Sequence, residues 1–534
     1  MVTTQDYPYP SRRLAQYAGR GAVGTSQHLA AQAGLDTLKK GGNAIDAAVT
    51  TAACLVVLEP PSTGIGGDAF AIVWTAGGLT GLNASGPSAM RADADYLKQK
   101  GFATMPTQGI YPVTVPGVPA AWAALTQRFG RRTLAQNLEA AIDYAENGFV
   151  VSPVQHQGLV DGYAQFHTLA AGGRDEFYTW EQAMCPDGIP EPGQRHRLPL
   201  HAETLKLIAA SDAREFYSGE IAARMDAFSR RYDGFLRQED FASFEPEWVD
   251  PISVNYRGYD VWEIPPNGQG MIALMALNIL KGFDFDTKDS VLTWHRTIEA
   301  VKLAFSDGLH HITDPKRMKV SVADLLSEDY ASARRALIGE RAALPGPGTP
   351  PKGGTVYLNA ADDEGNMISY IQSVYQGFGS GLFIPGTGVS LQNRGAEFKL
   401  DPAHANYLEP GKRTFHTIIP GFLTKDGEPV GPFGIMGAYM QAQAHTQVMM
   451  NTIDFGMNPQ SALDAPRFRW DAGLRVNVED IAGPAILQGL ADRGHEVVPT
   501  GLDPIFGRGQ IIWRAGDGFI AGTEPRVDGA MAMW

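Results

Sequence analysis

A proline- and glycine-dense segment that runs into a Gly-Gly pair and a strand-opening threonine constrains this chain more than any other stretch. Residues 344–352 read Leu-Pro-Gly-Pro-Gly-Thr-Pro-Pro-Lys, which suits neither a helix nor a central strand. Gly353-Gly354-Thr355-Val356-Tyr357-Leu358-Asn359-Ala360 follows, then an acidic turn at 362–366 and Met367-Ile368-Ser369-Tyr370-Ile371. Two apolar runs about an Asp/Gly turn predict a β-hairpin. A flexible segment delivering the chain to such a junction suits a protein that cuts itself. A threonine hydroxyl is a weak nucleophile and needs a base. The α-amine of an N-terminal threonine, with an ordinary pKa of about 8, can serve once the bond before it is broken. Gly354 has no Cβ to obstruct attack on its carbonyl. Taken alone, these residues favour the plainer reading of Thr355 as a β-branched residue that starts a strand.

Composition narrows the classes. The net charge of −14 with no basic block argues against a nucleic-acid partner. Cys54 and Cys185 are far apart and in no metal-type spacing, so a reducing compartment fits. The first residues lack an apolar signal-peptide core, and no apolar run is long enough to span a bilayer, so the expected location is the cytoplasm, with no membrane partner.

In chain order, Leu29 to Leu35 reads as an Ala-rich helix stopped near Lys39-Lys40-Gly41-Gly42, and Asn43 as the cap of a buried helix over 44–57. A glycine-rich turn, Ser62-Thr63-Gly64-Ile65-Gly66-Gly67-Asp68, precedes a strand over 69–74. It lacks the Lys-Ser/Thr of a P-loop, so close backbone packing near a site is expected. Tyr256 to Trp262 reads as one strand entering the turn Pro265-Pro266-Asn267-Gly268. Met271 to Leu280 and His295 to His311 read as helices. His295, His310, His311, Asp307 and Asp314 have no recognised zinc spacing, so surface or capping roles are expected and no metal or other cofactor. Residues 434–441 pass from a strand into a helix. Small residues at such a junction present free backbone N–H groups for an oxyanion.

The order of the longer motifs overturns the plain reading of Thr355. Gly41-Gly42-Asn43-Ala44-Ile45-Asp46-Ala47-Ala48, Glu59-Pro60 with Gly64-Ile65-Gly66-Gly67, Val115-Pro116-Gly117-Val118-Pro119, Phe216-Tyr217-Ser218-Gly219-Glu220 and the block from Thr355 to Gly388 together resemble the γ-glutamyltranspeptidase family of N-terminal-nucleophile hydrolases, over almost the whole chain. The resemblance implies an α+β fold, a four-layer αββα sandwich. It implies a precursor that cleaves itself between Gly354 and Thr355, giving a large chain (1–354) and a small chain (355–534) that share one structural domain. A dimer of such heterodimers is implied by the family alone.

The resemblance also places the site. The nucleophile falls on Thr355, the threonine that hydrogen-bonds it on Ser373, and the oxyanion glycine pair on Gly437 and Ala438. The groups that grip a γ-glutamyl substrate are rewritten. The segment carrying the carboxylate-binding arginine reads Asn83-Ala84-Ser85-Gly86 here, so that arginine is gone. The asparagine contact falls on Tyr375, the paired serines on His416 and Thr417, and the amine-holding Gln and Asp on Arg394 and Glu397. Losing the clamp should lose the glutamyl preference. Arg394 could pair bidentately with the carboxylate of a different acid, or serve as a structural salt bridge to Glu397 or Glu409.

Among relatives with such a pocket, the chain is most similar to the oxamate amidohydrolases of bacterial purine breakdown. The implied activity is therefore hydrolysis of a small carboxylate-bearing amide, such as oxamate to oxalate and ammonia. The alternatives are a γ-glutamyl hydrolase or transferase acting on glutathione-like substrates, a β-lactam side-chain acylase, and a non-catalytic, unprocessed family member.

Overall fold

The Thr355 hairpin forms the middle of a seven-stranded antiparallel sheet. Strand Val356–Asp362 pairs with Met367–Ser373, and both are buried along their whole length. In the turn, Asp362 Oδ1 accepts from the backbone N–H groups of Glu364 and Asn366, and Gly365 takes φ +85°, which glycine adopts without strain. Strands Gly21–Thr25 and Ala530–Met533 extend the sheet on one side. Asp68–Thr75, Gly78–Ala84 and Glu247–Val249 extend it on the other. The computed structural model describes Tyr9 and residues 13–345, 355–527 and 529–534. The Pro/Gly segment from 346 and the predicted cleavage residue Gly354 lie outside the described residues.

A strand buried on both faces needs a cover on each. One cover is helix Ala44–Leu58, buried over all its residues. Asn43 and Asp46 form a capping box at its start, and Asp362 of the hairpin turn accepts from Ala44 N at 2.8 Å, so turn and helix fix each other. The other cover is a second seven-stranded antiparallel sheet, in the order Gln16–Ala18, Gly518–Thr523, Arg508–Ala515, Glu428–Met436, Gly421–Lys425, Tyr259–Glu263 and Ile252–Tyr256. The ring of Tyr357 lies on Gly434, where an added Cβ would meet it at 2.3 Å. Any side chain at 434 would push the sheets apart.

Helices Gly270–Leu280, Val291–His311 and Met440–Ile453 pack outside the second sheet. The result is an α+β fold with helix, sheet, sheet and helix layers. Two expectations need correction. Residues 256–262 are not one strand but a hairpin, Ile252–Tyr256 with Tyr259–Glu263. Arg257 and Gly258 both take positive φ, the two-residue turn whose twist matches its strands. His295 is fully buried rather than at the surface. Its Nδ1 lies 2.8 Å from His495 Nε2, beside Glu299, while Asp314 does cap the short turn Pro315–Arg317. Lys302 Nζ lies 2.6 Å from Glu299 Oε1 in the same cluster.

Among the described residues no helix is long and apolar enough to cross a membrane. The register puts the chemistry at one end of the first sheet. Gln372 faces Val356, and Ser373 at the end of its strand faces Asp68 at the start of the next. In the second sheet, strand Glu428–Met436 stops just before Gly437, and Gly437 to Tyr439 lead into helix Met440–Ile453.

Candidate active site

Thr355 is 1 % exposed at the mouth of the two sheets. Its Oγ1 donates to Ser373 Oγ at 3.3 Å, and Gln441 Nε2 donates to it at 3.4 Å. Ser373 Oγ also accepts from Tyr375 N at 2.7 Å. The Gln441 amide is oriented by its other end, since Oε1 accepts from Ile419 N at 3.0 Å. A helix of the outer layer therefore aims a donor at the threonine, a contact that neither the motifs nor their spacing signalled.

Beyond the strand end, Gly437 takes φ +141° and Ala438 φ +51°. Among the described residues no acceptor takes the backbone N–H of either, while the Ala438 carbonyl is held by Gln269 Nε2 at 2.8 Å. Two adjacent residues in unusual backbone shapes, with free N–H groups and a tethered carbonyl, make a preorganised donor pair.

The rewritten clamp residues gather into one buried cluster. Arg394 stacks on the Tyr375 ring, 4.2 Å from guanidinium carbon to ring centroid, and its Nη1 donates to Thr417 Oγ1 at 2.7 Å. Its Nε and Nη2, the two nitrogens of the side-on fork, are buried without a hydrogen-bond partner among the described residues. Neither salt-bridge partner considered for Arg394 takes it. Glu409 pairs with Lys412 at 2.8 Å, and Glu397 accepts from the hydroxyls of Tyr375 and of Tyr439, the latter at 2.7 Å. Burial and the Glu397 charge hold both phenols well above their ordinary pKa, so they remain donors.

The carboxyl nearest Arg394 is instead Asp68, whose Oδ2 lies 3.7 Å from Nε. His416 Nδ1 accepts from Ile418 N, so its Nε2 carries the proton and donates to the same Asp68 oxygen at 3.0 Å. Burial and then Arg394 hold His416 well below its usual pKa, as a neutral imidazole. Burial pushes the Asp68 carboxyl up to about 7 against the pull of Arg394, the Gly86 N–H and Arg413.

The structure thus brings Thr355, Ser373 and Gln441 into contact, and joins Arg394, Tyr375, Glu397, His416 and Thr417 into a second group. Tyr439, Gln441 and Asp68 were not among the residues singled out from sequence. Asp68 had a signal, a charge closing a glycine-rich turn ahead of an apolar strand. Asn83 and Ser85, in the segment that lost the arginine, are buried in hydrogen bonds with Asn267.

Two face-to-face antiparallel sheets between helical layers, with a strand-opening threonine at their mouth, form the fold of N-terminal-nucleophile hydrolases, enzymes that act on amide C–N bonds. Residues 30–534 match the family model described as Gamma-glutamyltranspeptidase, and the chain belongs to that family of self-processing amide hydrolases. It is 54% identical to the cephalosporin acylase of Bacillus halodurans, whose crystal structure matches with a TM-score of 0.95 over 100% of this chain and 99% of that one. It is 37% identical to the glutathione hydrolase-like YwrD proenzyme of Bacillus subtilis (strain 168), over 96% of this chain and 99% of the relative. It is 31% identical to the oxamate amidohydrolase proenzyme of Klebsiella pneumoniae, over 96% and 98%.

Proposed function

We propose that this protein is cut between Gly354 and Thr355, and that Thr355 then hydrolyses the amide of an acid that carries a second carboxylate and no α-amine. The observation that carries this reading is the state of two side chains. Arg394 offers a buried fork that makes no hydrogen bond among the described residues and faces only Asp68, at 3.7 Å, while both oxygens of Glu397 are filled by tyrosine hydroxyls and leave no ready seat for an ammonium. Oxamate is the smallest substrate of this class.

In this reading Thr355 Oγ1 attacks the amide carbonyl and its α-amine takes the proton. The Gly437 and Ala438 N–H groups hold the oxyanion, and the proton passes to the leaving nitrogen. Water then resolves the acyl ester by the same route. Ser373 and Gln441 orient the hydroxyl. Arg394, Thr417, Tyr375, Glu397 and His416 form the acyl-carboxylate seat. The two buried free thiols, Cys54 and Cys185, support a cytoplasmic setting. A dimer of processed heterodimers belongs to the same proposal, and sedimentation would measure it.

A larger leaving group on the same acyl seat is favoured by one observation besides the acylase likeness. A cavity of about 550 Å³ is lined by Leu58, Pro61, Phe149, Val154, Ser62 and Arg508. Ser62 O accepts from Val374 N at 3.4 Å, next to Ser373, and Arg508 pairs with Met436, next to Gly437. It would suit a β-lactam nucleus better than ammonia.

The test is a pair of chromogenic anilides, γ-glutamyl and glutaryl, which differ only in the α-amine, with ammonia release from oxamate and cleavage of a cephalosporin bearing a carboxylate side chain run beside them. Faster turnover of the glutaryl anilide is expected. Preference for the γ-glutamyl anilide would overturn the reading.

A further inference from the structure

Asp68 lies beside Arg394, and both side chains are buried. Its Oδ2 lies 3.7 Å from Arg394 Nε, an ion pair too long for a hydrogen bond, and neither Nε nor Nη2 makes a hydrogen bond among the described residues. A substrate carboxylate that occupies the fork would come to rest against the Asp68 carboxyl. Two carboxylates confined side by side in a dry site cannot both stay ionised, and one proton ends up shared between them.

We infer that Asp68 is a specificity residue that binds a carboxylate substrate together with one proton, donating a hydrogen bond from its protonated carboxyl while Arg394 supplies the charge. The inference rests on the reading of Arg394 as the carboxylate seat. The balance is simple. Ionised Asp68, the ligand carboxylate and one solvent proton give a bound pair with a single negative charge, which the Arg394 guanidinium neutralises. No bond to carbon changes.

The groups facing Asp68 fit this role. Arg394 and Arg413 are its positive neighbours. His416 is neutral and gives its one ring proton to Oδ2, Gly86 N donates to Oδ1 at 3.4 Å, and Tyr217 is an un-ionised phenol nearby. None of them can supply the proton at neutral pH, so it must come from solvent. An ammonium-bearing ligand would face the opposite situation, since it would favour ionised Asp68. In its protonated form, below about pH 7, the residue therefore favours acids over amino acids, and that preference weakens as the carboxyl ionises above it. With the carboxyl titrating at about 7, acid binding is level between the ligand's own carboxylate pKa and that pH, and weakens tenfold for each unit above it.

The experiment is calorimetric titration of the processed enzyme with pentanoate, a monocarboxylate with no amide to hydrolyse, at pH 8 in two buffers of different ionisation enthalpy. Uptake of close to one proton per pentanoate is expected for the wild type and none for Asp68→Asn, whose neutral amide does not titrate. The variant should also bind pentanoate equally well at pH 6 and pH 9. The proton count on the wild type does not depend on the variant folding. Pentanoate bound without proton uptake would overturn the role of Asp68 and leave the carboxylate seat standing. No binding at pH 6 or pH 8 would overturn the seat itself, and the inference with it.

Discussion

Gln441 Nε2 points at Thr355 Oγ1 across 3.4 Å, from the first turn of a helix in the layer outside the second sheet. Because Ile419 N fixes the other end of that amide, the donor cannot turn away without breaking a second hydrogen bond. The donor leaves the hydroxyl proton directed at Ser373. Replacing Gln441 with Ala removes two neutral hydrogen bonds, of which the one to Thr355, a contribution of about 1 kcal/mol, bears on the reaction, and should lower kcat by about five- to tenfold with KM little changed. Gln441→Glu keeps the acceptor for Ile419 and places an anion against the Thr355 hydroxyl, so its loss should be larger. Steady-state assay of both variants, after checking by mass that they are processed, reads the difference.

Arg394 is the residue on which substrate choice should turn. Its lost charge-assisted hydrogen bonds, about 1.5–3 kcal/mol, predict a rise in KM for the glutaryl anilide of about ten- to a hundredfold in Arg394→Gln. Lysine should not rescue it. A lysine cannot form the planar fork, and it would leave both the Tyr375 ring and Thr417 Oγ1 without their present contact. Full activity in Arg394→Lys would show that a point charge suffices.

Gly437 and Ala438 should respond oppositely to exchange. Ala438 sits at φ +51°, where glycine is at least as comfortable, so Ala438→Gly should keep activity. Gly437 sits at φ +141°, and an added Cβ would lie 3.1 Å from Gly507 Cα. Gly437→Ala should twist the donor pair and cost on the order of 10²–10³ in kcat, as for a lost oxyanion donor, which comparison of the two variants measures directly.

A buried ion network gives a pH prediction away from the site. Glu524 accepts from Arg467, Arg526 and the Gly509 N–H, with Arg526 also bonded to Glu479. Burial opposes ionisation of Glu524, yet the two arginines outweigh it and hold its carboxyl below the ordinary value. A depressed folded-state pKa gives stability that is present above the unfolded pKa of about 4.3 and is lost as pH falls through the folded one. Tm should therefore drop on acidification below about pH 4. Glu524→Gln should lower Tm at neutral pH, because it leaves buried arginine charge unbalanced, and should flatten the acid limb. Thermal melts from pH 3 to pH 7 test both.

The hairpin at Thr355, the buried helix after Asn43 and the glycine-rich turn before Asp68 were legible because each has a local signature: an Asp/Gly turn between apolar runs, a cap with a carboxylate three residues on, a breaker cluster ahead of an apolar strand. Tyr256 to Trp262 misled because Arg257-Gly258 is a weak turn signal between two apolar runs. The site was half legible. The resemblance brought out Thr355, Ser373 and the Arg394 group, but Gln441 and Tyr439 reach the site from a helix and its approach, and only the packing of helix on sheet aims them there. His295 looked like a surface histidine because its partner, His495, is two hundred positions away in sequence.

In the mechanism proposed above, Thr355 becomes an N-terminus and then the nucleophile. Intact mass of the purified protein under denaturing conditions, with N-terminal sequencing, tests it most directly. Two pieces are predicted for the wild type, the smaller beginning Thr355-Val356-Tyr357, and one uncut, inactive chain for Thr355→Ala. A wild-type chain that stays whole, a cut elsewhere, or a Thr355→Ala protein that is cleaved and active would contradict it.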